Sequence, residues 1–523
     1  WTPDFKHRSF YELAVLAVKD KDYKQAMDMI TQSLYVGGRD LQALTLKAYI
    51  LRMQDKKEEA QETIHYIQQI DPLDYWSAAE ASLSASQGAS FLKAGTNHNS
   101  KGIIAIQELL EVVNNYMTIG ATEDALTLLN SAISLGEPYA SYPLLYYYKA
   151  YNLLKSKNSI EFQTCLDKAR SLSPLNNYPF RIEEIALFKT LLQKRPDDAL
   201  LHYHLGNLLY FLGQKESGLE HWLHATETDP SFAIAARNVG FGYGCLNDLE
   251  KSIKYYDRAI NANPNDPLLL TESDKIYEQA NIPTDQRLKR LESHLKTVMK
   301  HDDAVMRLLT LYNAESKYDK SIKILNTRHF HLWEGGGQVH DIYADSHILK
   351  GMQFLKRKQY KEAIREFDLA NQYPSNLEVA PSPNGGYEAK IYYLSGIAYE
   401  AMKQTDKAKI CFEKSADTHF RSHLTDLNYY KIKSLRKLNR NGEADVALSD
   451  MQKTLERILR NPTDSYAKFG EANQNVQQSN ISYYSGLIHL LQNNPSAAKN
   501  DFTQALQLYP GNIWAQLMNK DIH

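Results

Sequence analysis

The densest set of chemistry-bearing side chains lies in one stretch: Arg328-His329-Phe330-His331-Leu332-Trp333-Glu334, then Gly335-Gly336-Gly337, then His340, Asp341 and Tyr343. In an extended segment the spacing of His329 and His331 puts both imidazoles on one side, and Asp341 or Glu334 could complete a set of metal ligands. Histidines of a turn-rich loop more often serve as polar contacts, so no metal centre and no cofactor is expected. Glu334 beside a histidine could move a proton. Catalysis, however, needs a second positioned group, and the chain has no nucleophile motif and no carboxylates at catalytic spacing. No catalytic residue is assigned, and the chain is expected not to be an enzyme. Recognition or architecture remains. Consecutive glycines let a backbone take positive φ or pass close to another surface, and aromatic and imidazole groups beside such a loop suit a binding site. The loop candidates are His329, His331, Trp333, Glu334 and His340. The competing expectation is architectural, with Trp333 filling a gap while the glycines turn the chain.

The elements that must carry this loop show themselves as a repeat. Gly206 and Gly240 are 34 residues apart, and in that register Leu209 falls on Tyr243, Trp222 on Tyr256, Ala225 on Ala259 and Pro230 on Pro264. Each unit reads as a small residue, an aromatic or large apolar residue three later, a polar turn, and an apolar helix ending near proline. Small residues suit the close approach of two antiparallel helices, and proline after the second helix stops it. Ala26 and Ala60 repeat the spacing of 34, with Pro72 closing the second unit. Ala150, Leu166, Ala169 and Pro174 form another unit, after a weaker one around Val113, Ala125 and Ala132. Later come Gly351, Phe354, Ala363, Phe367 and Ala370, then Gly396, Tyr399, Ala408 and Phe412. The last is Gly486, Ala498, Phe502, Ala505 and Pro510. The pattern is degenerate over 268–325 and 420–460.

These residues resemble the tetratricopeptide repeat consensus over most of the chain. The resemblance implies an all-α fold, a right-handed superhelical solenoid of antiparallel helix pairs in which one helix of each pair lines a concave groove. Groove candidates are Tyr147, Tyr148, Tyr151, Tyr203, Asn207, Tyr210, Phe211 and Asn238, with Tyr393, Tyr483 and Tyr484 further on. Half of these tyrosines are expected to pack between helices instead. Some tetratricopeptide domains clamp a terminal carboxylate with Lys, Asn and Arg. Carried over, the asparagines are Asn207 and Asn238, but the basic positions hold Tyr203, Leu268 and Glu272, so that clamp is not expected.

The Trp333 segment, together with Tyr373-Pro374-x-Asn376-Leu377 and Asp71-Pro72-Leu73-Asp74, is similar to a family of bacterial proteins of unknown function. In that family a tetratricopeptide array follows a mutarotase-like β-sandwich. The resemblance implies that the upstream domain of the same protein, or a carbohydrate, is a partner, with the loop at 329–343 completing the site. The expected organisation is an N-terminal repeat pair over 1–72, a central array with degenerate units over 73–325, an inserted loop over 326–346, and a C-terminal array with a capping helix over 347–523. Residues 73–104 read as helix at both ends of a long turn. Residues 371–389, with Pro374, Pro381 and Pro383, read as a loop. Trp514 and Leu517 belong to the capping helix.

Composition narrows the function classes. The chain has 523 residues, 60 basic and 62 acidic, for a net charge of −2. This balance lacks the clustered basic face of a nucleic-acid binder. Cys165, Cys245 and Cys411 are widely spaced and odd in number, which excludes a disulfide framework. No apolar run is long enough to span a bilayer. The chain begins at Trp1 and reads as an excised or processed fragment, so no compartment is assigned. The 35 tyrosines suit half-buried seams and wet binding surfaces. The expected function is a non-enzymatic protein-interaction scaffold whose aromatic groove binds a peptide segment or the upstream domain. The alternative is the helical accessory region of a carbohydrate-active or sugar-binding protein.

Overall fold

The computed structural model describes residues 3–93, 102–155, 159–175, 177–331, 338–381, 386–419, 424–460 and 474–522. These form an all-α solenoid of helix pairs. It has twenty-eight α-helices and three short 3-10 turns, with no β-strand among the described residues. None of these helices is long and apolar enough to cross a membrane.

Local chemistry sets where the helices start. The Asp40 carboxylate accepts from the Ala43 N–H at 2.7 Å to open Leu41–Met53. Asp198 opens Ala199–Phe211 in the same way, and Asp266 followed by Pro267 opens Pro267–Gln279. Each cap occupies a donor that the helix itself leaves unpaired.

The first helix of a pair ends in one recurring turn. Lys21, Asp55, Asn247, Asn281, Ser316, Lys358, Lys403, Asn439 and Asn493 all have φ between 56° and 60°. Around Lys21, its own N–H reaches the Val18 carbonyl and the Asp22 N–H reaches Ala17, both at 2.9 Å. This left-handed stop satisfies the last carbonyls and reverses the chain within a few residues. Helix two of the pair begins two or three residues later.

The small residues of the repeat are where the two helices touch. Gly206 faces Trp222, Gly240 faces Tyr256, Gly351 faces Phe367, Gly396 faces Phe412 and Gly486 faces Phe502, always sixteen residues apart. A Cβ on Gly206 would lie 2.5 Å from the Trp222 ring, so these glycines are required by space. The stretches of weak consensus still run helix against helix, with looser contact inside each pair: Pro267–Gln279 with Thr284–Ser293, Asp302–Ala314 with Tyr318–Thr327, and Asp426–Lys437 with Asn441–Arg460.

The chain divides into two compact units, Trp1–Pro230 and Ser231–His523. In the N-terminal unit one continuous apolar core runs from Tyr11 to Leu209. The C-terminal unit holds one core from Ala236 to Leu377 and another from Ile348 to Ala515. Residues 73–104 give helices Tyr75–Ser84 and Ile103–Thr118, and Gly95 lies outside the described residues. Between 371 and 389 the described backbone is a loop with one 3-10 turn, Ser375–Leu377, before Glu388–Ala401 starts.

The end of the chain does more than cap. Helix Ile513–Asp521 follows Pro495–Leu508, yet its Ile513, Trp514 and Leu517 pack against Tyr318, Ile322 and Leu349. Asp521 pairs with Lys356 at 2.8 Å, and Tyr509 donates to Glu278 at 2.9 Å. The terminal segment thus lies against much earlier helix pairs of its own unit.

Candidate functional site

The histidine segment is fastened to the loop that carries Asn376. Arg328 pairs with Asp302, Nε to Oδ1 at 2.7 Å, and donates to the Met299 carbonyl at 2.8 Å. Phe330 is fully buried, and its N–H donates to the Asn376 carbonyl at 2.9 Å. The Asn376 amide donates back to the Leu325 and Arg328 carbonyls, both at 2.7 Å. The His331 N–H donates to Asp302 at 2.9 Å. With Phe330 inside, His329 and His331 both point outward, with ring centroids 4.7 Å apart. Glu378 meets them there. Its Oε1 is 2.8 Å from His329 Nε2 and 3.9 Å from His331 Nδ1.

His340 does not join this group. It is buried on helix Gln338–Lys356, stacked on Tyr373 at 3.8 Å with planes 5° apart, and its Nε2 meets the Gln372 carbonyl at 3.0 Å. Burial pushes its imidazole below the usual histidine range. Asp341 accepts from the Tyr387 hydroxyl at 3.0 Å and is not part of the group formed by the two histidines and Glu378. Trp333 and Glu334 lie outside the described residues. Glu378, which the sequence reading missed, carries no motif of its own. Its signal was proximity to Asn376, in a segment already marked by its prolines.

The groove candidates of the N-terminal unit separate sharply. Tyr147 and Tyr148 are core side chains, each 1% exposed, which corrects their assignment to an open groove. Tyr147 packs on Phe188 and His204, and Tyr148 donates to Glu184 at 2.9 Å. Tyr203 is buried beside His204. Asn207 and Tyr210 position an indole. Trp222 Nε1 donates to Asn207 at 2.9 Å, and the Tyr210 ring stacks on Trp222 at 4.7 Å. Phe211 is 70% exposed, and half-buried Tyr151 lies under the Lys155 ammonium at 4.7 Å. These side chains face apart because neighbouring positions on a helix lie about 100° from one another.

In the C-terminal unit Asn238 is buried and accepts from Arg237 at 3.2 Å, while Arg237 also grips Glu272. Tyr393 and Tyr483 are buried as well. Two polar clusters fill the interior. Asp274 is shared by Arg287 and Arg307, with Arg287 Nη2 at 2.8 Å and Arg307 Nε at 2.6 Å. Lys390, only 1% exposed, pairs with Asp426 and lies against the Trp514 ring. Asp345 also bonds Trp514, and burial lifts its carboxyl to about 7.

A pocket of about 460 Å³ opens beside these helices, lined by Tyr393, Tyr429, Lys433, Arg436, Lys437 and Leu490 among others. Arg436 donates to the Leu491 carbonyl at 2.7 Å, and Lys437 pairs with Glu400 at 2.6 Å. Lys433 has no carboxylate partner among the described residues. Its ammonium lies 5.1 Å from the Tyr393 ring and 3.4 Å from the Tyr429 hydroxyl. Burial pushes it below the usual lysine range, and the charges of Lys437 and Arg436 push the same way.

The tetratricopeptide repeat family model matches residues 243–266 and 389–417. Tetratricopeptide repeats are thus present, the first match covering the turn and second helix of one pair and the second covering both helices of another, Glu388–Ala401 and Thr405–Ala416. Solved structures similar to this chain include YrrB, "a TPR protein with an unusual peptide-binding site", at 16% identity and a TM-score of 0.28, covering 41% of this chain and 97% of that one. The MamA RS-1 ArsTM double mutant is 18% identical with a TM-score of 0.22, covering 37% of this chain and 92% of that one. A monomeric mutant of IFIT1 with Gppp-AAAA is 12% identical with a TM-score of 0.23, covering 90% of each chain.

Proposed function

We propose that this chain is a non-catalytic interaction scaffold that binds a peptide segment, and that the pocket around Lys433 receives an acidic group of that segment. The observation that carries the reading is Lys433 itself. A half-buried ammonium with two further cations nearby, and no carboxylate partner among the described residues, loses solvation that the Tyr393 and Tyr429 rings and the Tyr429 hydroxyl replace only in part. An incoming carboxylate would supply the remainder, while the Tyr393 and Tyr429 rings offer amphipathic walls to the adjoining side chain. Lys437 is already paired with Glu400, whereas the Arg436 partner is a neutral carbonyl, so the pocket keeps a net positive charge. In the N-terminal unit exposed Phe211, with Tyr151, is proposed as a further contact for partner side chains. Nothing on the described residues favours a carbohydrate over a peptide.

Calorimetric titration with an acidic, tyrosine-containing decapeptide tests this. The expected result is binding that weakens at least tenfold in Lys433→Met, and no binding of the same peptide with lysine in place of its glutamates. Equal affinity of the native chain and Lys433→Met for the acidic peptide would overturn the assignment of the pocket.

A further inference from the structure

His329, His331 and Glu378 form a cluster that neither the repeat architecture nor peptide binding uses. One ligand atom from each lies within 4.8 Å of the other two. We propose that these three residues bind a divalent transition-metal ion of the zinc type.

Three features support this. The first is chemistry. Two borderline imidazoles with one harder carboxylate make a donor set that zinc, cobalt and nickel accept, and three protein ligands leave a position for water or another group. The second is spacing. The two carboxylate-to-imidazole distances, 2.8 and 3.9 Å, bracket the separation of about 3.3 Å between neighbouring ligands on a tetrahedron around zinc. Small side-chain rotations suffice to close the set. The third is support. The ligands stand on two backbone segments clamped together by the Phe330 N–H and the Asn376 amide, so their Cα positions are fixed before any ion arrives.

Glu378 adds a backbone signature. Its φ is 52°, and it closes the 3-10 turn Ser375–Leu377. Among the described residues the other non-glycine positions of positive φ all end α-helices. A glutamate in this conformation is uncommon, and such residues gather where a side chain must be aimed. Here the aim is at the two imidazoles.

The histidine pair His202 and His221, with Nδ1 atoms 2.8 Å apart, supplies an internal control elsewhere in the chain. The test is calorimetric titration of the metal-stripped full chain with zinc chloride, followed by visible spectroscopy with cobalt. The expected result is binding of micromolar strength and an intense cobalt band. His331→Ala and Glu378→Gln should each weaken zinc binding at least tenfold, and His221→Ala should not. Circular dichroism of the variants should match that of the native chain, because all three side chains are exposed. No zinc binding would overturn the proposal. So would binding unchanged in both His331→Ala and Glu378→Gln, or binding lost only in His221→Ala.

Discussion

The Lys390 ammonium lies 3.4 Å from the centroid of the Trp514 ring, joining the first turn of Glu388–Ala401 to the last helix of the chain. The lysine is otherwise buried, paired with Asp426 and near the Tyr387 and Tyr430 rings. The indole therefore covers a charge that has little access to water.

Trp514→Ala should destabilise the C-terminal unit by about 3 kcal/mol, since it removes apolar contact and a desolvated cation–π pair together. Trp514→Phe should recover part of that loss. Urea unfolding followed by tryptophan-independent circular dichroism measures both.

Asp274 is the hub of the second buried cluster. Burial raises its carboxyl, but the Arg287 and Arg307 guanidiniums outweigh burial and hold it below the usual carboxylate range. Its contribution is therefore fully present above the unfolded pKa of about 4 and is lost as pH falls through the lower folded value. Asp274→Asn should cost about 3 kcal/mol at pH 7, because buried Arg287 and half-buried Arg307 lose a shared carboxylate and keep only Glu278. The difference between variant and native chain should shrink at acid pH.

Burial alone holds the His204 imidazole down at about 3. The unfolded chain takes up this proton near pH 6.5, so the native state binds fewer protons over the whole interval and stability falls on acidification. Between pH 6.5 and pH 5 His204 should contribute a loss of about 2 kcal/mol. His204→Phe, which keeps a ring beside Tyr147 and Phe188, should remove that part of the slope in urea titrations at the two pH values.

Glycine substitutions should separate space from propensity. A Cβ on Gly486 would lie 2.5 Å from the Phe502 ring, whereas one on Gly442 meets nothing within 4 Å. Gly486→Ala should therefore destabilise by about 1–3 kcal/mol. Gly442→Ala, in the first turn of Asn441–Arg460, should be neutral or stabilising by up to about 1 kcal/mol. Thermal unfolding of the two variants gives the comparison.

The glycines opposite aromatic residues were legible because their spacing is local: sixteen residues connect the two helices of one pair. Where that signature fails, over 268–325, the pairs still form, and Asp274, Arg287 and Arg307 supply part of the contact. Ionic contacts leave no apolar period to read. The groove tyrosines show the same limit. Neighbouring positions on one helix differ in facing, and residue type could not tell buried Tyr147 from exposed Phe211.

The sequence by itself determined the helix pairs and their all-α class. It also determined the close approaches at Gly206, Gly351 and Gly486 and the recurring turn, because each depends on residues within about one repeat of one another. Tertiary structure alone decided that Glu378 stands beside His329 while His340 turns inward to Tyr373. It alone decided that Trp514 covers Lys390, 124 positions earlier in the chain. The physical reason is range. Capping, propensity and steric fit act between near neighbours, whereas a partner on another helix pair or on a connecting loop is chosen only when packed helices bring it there.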